Sequence, residues 1–205
     1  GPNSLASLYS FENPGEMEFV QDWFIENSDI QRTTWQRILR AITHYCPGGK
    51  LLDVGCGPGS FLENARRIGF DVDGQEVSPF FYKYARDEKG LNVLLGELED
   101  LNLPPKSYDC ITAFDVIEHH PDPSRMLRAI NNLLKPGGLL VIGTHDIGSR
   151  FAKLHGSNWR YISPTGHLTY FSRRTLEMLV AKYGFNILRQ AGLHTVDESS
   201  LKELL

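Results

Sequence analysis

The sequence predicts an α/β fold built on a doubly wound, mostly parallel sheet flanked by helices, and three observations carry that expectation. Short apolar runs alternate with amphipathic helical runs between residues 50 and 143. The first apolar run, Leu51-Leu52-Asp53-Val54, leads straight into a glycine-rich turn, Gly55-Cys56-Gly57-Pro58-Gly59, and then into a helical run. About five parallel strands fit before the rhythm stops, too few for an eight-stranded barrel.

Residues 1–46 read as an N-terminal helical cap. From Thr33, Trp35, Ile38, Leu39 and Ile42 fall at three- and four-residue spacing and form one apolar stripe. Trp23 and Trp35 are expected to pack over the pocket, and Pro47-Gly48-Gly49 stops the helix. After the first strand and glycine turn, Ser60 to Ile68 is a helix with Phe61, Leu62, Ala65 and Ile68 inward. Phe70 to Gln75 is a second strand, Ser78-Pro79 a helix start, and Phe80 to Glu88 a helix. Asn92 to Leu95 and Cys110 to Phe114 are the third and fourth strands. Pro123 to Leu134 is a helix closed by Lys135-Pro136-Gly137-Gly138, and Leu139 to Gly143 is the fifth strand. Residues 47–143 thus form a ligand-binding core. Residues 144–174 break the pattern as a long loop, expected to be a lid on the substrate side. Residues 175–205 complete the same domain: Arg174 to Tyr183 as a helix, Phe185 to Gln190 as a sixth strand, and Asp197 to Leu205 as a short amphipathic or frayed tail.

The chain has 205 residues, 41% hydrophobic and 22% charged, with net charge −4. That balance argues against a general nucleic-acid surface. The three cysteines Cys46, Cys56 and Cys110 form no CxxC pair and fit a reducing, cytoplasmic setting. No apolar run reaches the length of a membrane span.

The glycine turn admits three cofactor chemistries. A nucleotide P-loop requires Gly-Lys-Ser/Thr, which is absent. A dinucleotide fingerprint requires glycine at position 60, where Ser60 stands, and Pro58 removes a backbone donor that a pyrophosphate would use. The third is a sulfonium cofactor. Asp53-Val54-Gly55-Cys56-Gly57-Pro58-Gly59 resembles the first motif of the class I S-adenosylmethionine-dependent methyltransferases. The likeness continues through Glu76, Gly96-Glu97-Leu98-Glu99-Asp100, Phe114-Asp115-Val116-Ile117-Glu118-His119 and Leu134 to Ile142. From His167-Leu168-Thr169-Tyr170-Phe171-Ser172 to Phe185 it resembles the small-molecule branch near the quinone-biosynthesis O-methyltransferases.

The resemblance implies a Rossmann-like sheet of six or seven strands and S-adenosyl-L-methionine as cofactor. It assigns cofactor contact to Asp53, Gly55, Cys56, Gly57, Gly59, Glu76, Glu97, Leu98, Phe114 and Asp115. Glu76 would hold both ribose hydroxyls, and Asp53 would orient the turn or the cofactor's ammonium group. Glu97 departs from the aspartate usual there. Glu76, at a strand end, is expected to be exposed in the empty protein. Glu118-His119-His120 lies beside Pro121 and Pro123 and reads as a hydrogen-bonded turn rather than a metal site.

The reaction implied is in-line methyl displacement from sulfur to an oxygen, nitrogen or carbon nucleophile, with the protein aligning the partners and excluding water. O-methylation of a small acceptor is favoured, with His145 and His167 as candidate bases. From Ile147 to Leu176 there are five cations and no acid. Arg150 and Arg160, with Trp159, Tyr161 and Tyr170, are therefore expected to favour an anionic acceptor. Methylation of RNA or protein, and a non-catalytic cofactor-binding role, are the competing readings.

Overall fold

In the computed structural model the described residues are 28–163 and 166–190. Chain order alternates as expected: α1 (Ser28–Tyr45), β1 (Lys50–Val54), α2 (Ser60–Arg67), β2 (Asp71–Glu76), α3 (Pro79–Lys83), β3 (Asn92–Leu95), β4 (Tyr108–Phe114), α4 (Pro123–Leu133), β5 (Leu134–Gly143), α5 (Arg150–His155) and α6 (Arg173–Lys182). A π-helical turn, Tyr84–Glu88, prolongs α3, and a 3-10 turn, Leu98–Asp100, follows β3. The strands make one five-stranded sheet in the order β3-β2-β1-β4-β5, and every pairing is parallel.

Strands joined by helices must run parallel, and helices on both faces leave no polar face to the sheet. Two core clusters result. On one face Leu51, Val72, Val93 and Cys110 pack against Ile38, Leu39 and Ile42 of α1 and Phe61, Leu62 and Ala65 of α2. On the other, Leu52, Val54, Ile111 and Ala113 pack against Met126, Leu127 and Ile130 of α4, with Leu176, Leu179 and Val180 of α6 at the margin. Helix starts are capped by short polar side chains. Ser78 accepts from Phe81 N, Asp122 from Ser124 N and Arg125 N, and Ser172 forms a capping box with Thr175. At the amino end of the sheet, Asp73 gathers Lys50 Nζ at 2.9 Å, Tyr108 Oη at 2.8 Å and Asn92 Nδ2 at 2.6 Å. One carboxylate thus ties four strands together.

Several expectations need correction. Phe185 to Gln190 is not a strand, and the described sheet has five strands rather than six or seven. A β-prone sequence becomes a strand only beside a ladder partner; here Phe185 N bonds Val180 O, folding back on α6. The 144–174 segment contains α5 and a 3-10 turn, Gly156–Asn158, because Ser149 caps a helix by accepting from Ala152 N. Ile68 is 50% exposed, since α2 ends before it. The expected positions of Trp23 and of the tail 197–205 lie outside the described residues. Among the described residues no helix is long and apolar enough to cross a membrane.

Candidate active site

The site is built at the carboxyl ends of the strands, where open parallel sheets bind ligands. β1 delivers the glycine turn, and its glycines differ in purpose. Gly55 (φ 66°) and Gly59 (φ 79°) are required by packing: a Cβ would meet Val116 Cγ2 at 2.5 Å and Leu91 Cδ1 at 2.3 Å. At Gly57 a Cβ would meet nothing within 4 Å. Gly57 therefore presents bare backbone to open space, the geometry that lets a ligand approach the chain closely. Cys56 is buried, and burial first, then the nearby carboxylates, push its thiol well above the usual range, so it fills space without acting as a nucleophile.

Glu76 ends β2 and is only 6% exposed, against the expectation of an exposed carboxylate. Its Oε2 accepts from Gly57 N at 2.7 Å, and its Oε1 from Val77 N and Ser78 N at 2.8 Å each. The backbone turning out of the strand needs an acceptor for these amides, so the side chain folds inward. Burial raises its pKa and the three amides partly offset that. Asp53 is buried as well. Burial lifts it to about 7 despite the Thr112 hydroxyl, which donates to Oδ1 at 2.6 Å, and Glu76 adds to the rise.

After β3, Glu97 is half-buried at the start of the 3-10 turn, while the Leu98 side chain is buried in the core. Phe114, at the end of β4, packs with Trp35 of α1 and Phe61 of α2 at centroid distances of 5.2 and 5.1 Å. Helix α1 thus packs through Trp35 against Phe114 at the carboxyl end of β4. Asp115 follows with φ 54°, a left-handed conformation unusual outside glycine, held by Asp115 N donating to Gly143 O.

On the acceptor side the structure assembles a group that the sequence reading treats only as a turn. Glu118 is 3% exposed, and neither carboxylate oxygen has a hydrogen-bond partner of normal geometry. Burial first, with Asp115 adding to it, raises it to about 7; its own amide and the Thr144 hydroxyl act in the other direction. Donor atoms of Glu118, His119 and His167, and separately of Asp115, Glu118 and His145, lie within 4.8 Å of one another. His119 Nδ1 faces Gly166 O, and His167 Nδ1 faces Tyr161 O, both at 2.8 Å. A carbonyl only accepts, so Nδ1 carries the proton in each neutral ring and Nε2 keeps the lone pair. The acid three residues after Asp115 was visible in the sequence; its burial and the return of His167 beside it were not.

His145 stacks on Tyr161 at 3.5 Å and 19°, with Trp159 edge-on to Tyr161 at 5.3 Å. Burial first, then the charges of His167 and Arg160, depress His145 to about 4. Trp159 is buried, Arg160 lies over the Tyr161 ring at 5.1 Å, and Tyr170 Oη accepts from Ser163 N. The structure therefore brings Trp159, Arg160, Tyr161, His167 and Tyr170 together. Arg150 stands apart, exposed at the first residue of α5.

A family model described as a methyltransferase domain matches residues 27–190. The chain belongs to the class I S-adenosylmethionine-dependent methyltransferase family. A ubiquinone biosynthesis O-methyltransferase of Xanthomonas euvesicatoria pv. vesicatoria is 40% identical over 103 residues, covering 47% of this chain and 43% of that protein. A namesake from Cereibacter sphaeroides is 33% identical over 163 residues, 75% of this chain and 64% of the other. The chain thus spans less than two thirds of the length of these curated relatives. Among solved structures, a methyltransferase of Thermotoga maritima described as a possible histamine N-methyltransferase shares the fold, with TM-score 0.70, 24% identity, and coverage of 90% of this chain and 82% of that one. Phosphoethanolamine N-methyltransferase 2 of Haemonchus contortus, solved with S-adenosyl-L-methionine, does so with TM-score 0.64, 22% identity and coverage of 82% and 41%.

Proposed function

We propose that this methyltransferase moves the sulfonium methyl group of S-adenosylmethionine to an oxygen of a small, anionic acceptor. The buried carboxylate of Glu118, gathered with His119 and His167 just past the carboxyl end of β4, carries the reading. The residues fit the cofactor: the open backbone at Gly57 admits the adenosyl group. Glu76 retains a second lone pair on Oε2 for a ribose hydroxyl, and Asp53 would orient the turn or the cofactor's ammonium group. Glu97, Leu98 and Phe114 would border the adenine, and Asp115 the methionine end. The bound cofactor supplies the methyl group and its own leaving group.

The chain's residues then bind, orient and deprotonate the acceptor. A hydroxyl nucleophile passes its proton to Glu118, whose carboxyl burial raises to about 7, or to Nε2 of His167. His145 is the weaker base and, stacked on Tyr161, forms a wall that excludes water with Trp159. Arg160 supplies the positive field for the acceptor's carboxylate or phosphate, and Tyr170 braces the turn. The relatives' name, ubiquinone biosynthesis O-methyltransferase, supports methylation at oxygen. A second reading rests on the same carboxylate: Glu118, His119 and His167 have the donor types and separation for one divalent cation that would polarise the acceptor hydroxyl.

The test is turnover of methyl-labelled cofactor with acceptors in matched acid and ester pairs, with and without chelator. Glu118→Gln should lower turnover about 100-fold or more with cofactor affinity unchanged. Arg160→Ala should erase a preference for the acid. Full turnover by the Glu118 variant would refute the base and the cation readings together; loss on chelation restored by Mg²⁺, Mn²⁺ or Zn²⁺ would select the second.

A further inference from the structure

Gln75 precedes Glu76 on β2, so its side chain leaves the strand on the opposite face from that carboxylate. It is 3% exposed, an uncharged amide sealed between two loops. Its Oε1 accepts from Gly55 N at 3.0 Å, and its Nε2 donates to Gly96 O at 2.5 Å. The two partners fix the amide's orientation: the reversed amide would set N–H against N–H and oxygen against oxygen. The main chain of the same two residues repeats the connection. Cys56 N donates to Gln75 O at 3.0 Å, and Gly96 N donates to Glu76 O at 2.9 Å.

These two loops are the glycine turn after β1 and the Gly96-Glu97-Leu98 turn after β3. They stand on either side of β2 with the adenosyl group assigned between them. Gly55 is also pressed from behind by Val116, where even a Cβ would be 2.5 Å from Cγ2. The turn is therefore held from two sides, by an apolar stop at Val116 and by a hydrogen-bonded tether at Gln75. An apolar residue at 75 could fill the volume, yet it would leave Gly55 N–H and Gly96 C=O without their partners and remove the only side chain seen to join the two turns among the described residues.

We propose that Gln75 is a positioning residue that fixes the separation of the glycine turn and the Gly96 turn, and so the width of the adenosyl subsite. It touches no reacting atom and acts through the backbone it holds. The inference rests on the reading that these turns line the cofactor site. It predicts a ligand-selective pattern: loss of the bridge weakens every ligand that carries adenosine, whether or not methionine is attached.

The experiment is calorimetric titration of the full chain with S-adenosylmethionine, S-adenosylhomocysteine and methylthioadenosine. Gln75→Met keeps length and volume without hydrogen bonds; Gln75→Glu keeps the acceptor and regains a donor only when protonated. In Q75M all three Kd values should rise tenfold or more, at an undiminished binding stoichiometry. In Q75E they should rise at pH 8 and return toward the wild type at pH 5.5, while Q75M stays flat against pH once the wild-type trend is divided out. Should Q75M fail to fold, the pH-dependent recovery of Q75E decides alone. Wild-type Kd values in either variant, or a fall confined to stoichiometry, would overturn the proposal. Gly57→Val serves as the control. If it abolishes binding while Q75M does not, the bridge is refuted and the site stands; if it binds normally, the site assignment itself is wrong.

Discussion

Replacing Glu76 by alanine should destabilise the empty protein as well as weaken cofactor binding. The carboxylate accepts three backbone amides, at 2.7 Å from Gly57 and 2.8 Å from Val77 and Ser78. Gly57 is only half-buried, so its amide can rehydrate. Val77 and Ser78 are 9% and 0% exposed and cannot do so without rearrangement. Two orphaned amides at about 1–3 kcal/mol each give a gross loss of roughly 2–6 kcal/mol. Removing a carboxylate whose ionisation burial disfavours returns part of that. The net expectation is a loss of about 2–4 kcal/mol, read from urea denaturation of the apo protein. Glu76→Gln divides the two functions: its Oε1 still serves Val77 and Ser78, while its Nε2 confronts the Gly57 amide. It should keep most of the stability and still lose about tenfold to a hundredfold in cofactor Kd. An E76A protein within about 0.5 kcal/mol of the wild type would show that the turn after β2 does not depend on this carboxylate.

Two further outcomes concern buried acids. Asp53 is raised to about 7 from 3.8, so its neutral form favours folding: stability is fully present below pH 4 and drains as pH rises through 7. Asp53→Asn, which keeps an acceptor for Thr112, should flatten the apo stability profile between pH 4 and 8 by about 1–3 kcal/mol in denaturant titrations. At Asp73 burial opposes ionisation, but Lys50, Tyr108 and Asn92 outweigh it and hold the carboxyl below its usual range, so its contribution is present at neutral pH and lost as pH falls. Tyr108→Phe should cost about 1–2 kcal/mol at pH 7 and move the onset of acid unfolding to higher pH, followed by circular dichroism.

The alternation of strands and helices was legible because periodicity and caps are local. Ser78-Pro79 announced the start of α3, and Gly55 to Gly59 announced the turn. Phe185 to Gln190 misled because strand propensity reports fit to a neighbour, and no neighbour pairs with it among the described residues. Glu76 was rightly placed at its strand end and wrongly expected to be exposed, since which amides a carboxylate will serve depends on the loop's path. Glu118 read as part of a proline-bounded turn; its burial depends on Leu168 N and Thr169 N donating to its carbonyl from a segment about fifty residues away, which no local pattern reveals. Gln75 gave no signal at all. A glutamine at the end of a strand reads as solvent-facing until both loops around it are seen.

The chain leaves β5 and comes back to α6 at almost the same place. Asp146 bridges Phe171, Ile147 N donates to Phe171 O, and Asp146 Oδ1 accepts from Gly148 N and Arg173 N. The described residues between form a detour with stitched ends that carries Trp159, Arg160, Tyr161, His167 and Tyr170. Doubling the length of such a detour costs only about 0.6 kcal/mol in closure entropy. Its contents can therefore be exchanged by grafting or by natural drift while the stitch at Asp146 keeps β5 and α6 in register. The segment that carries these residues is free to change at a different pace from the sheet that carries the glycine turn.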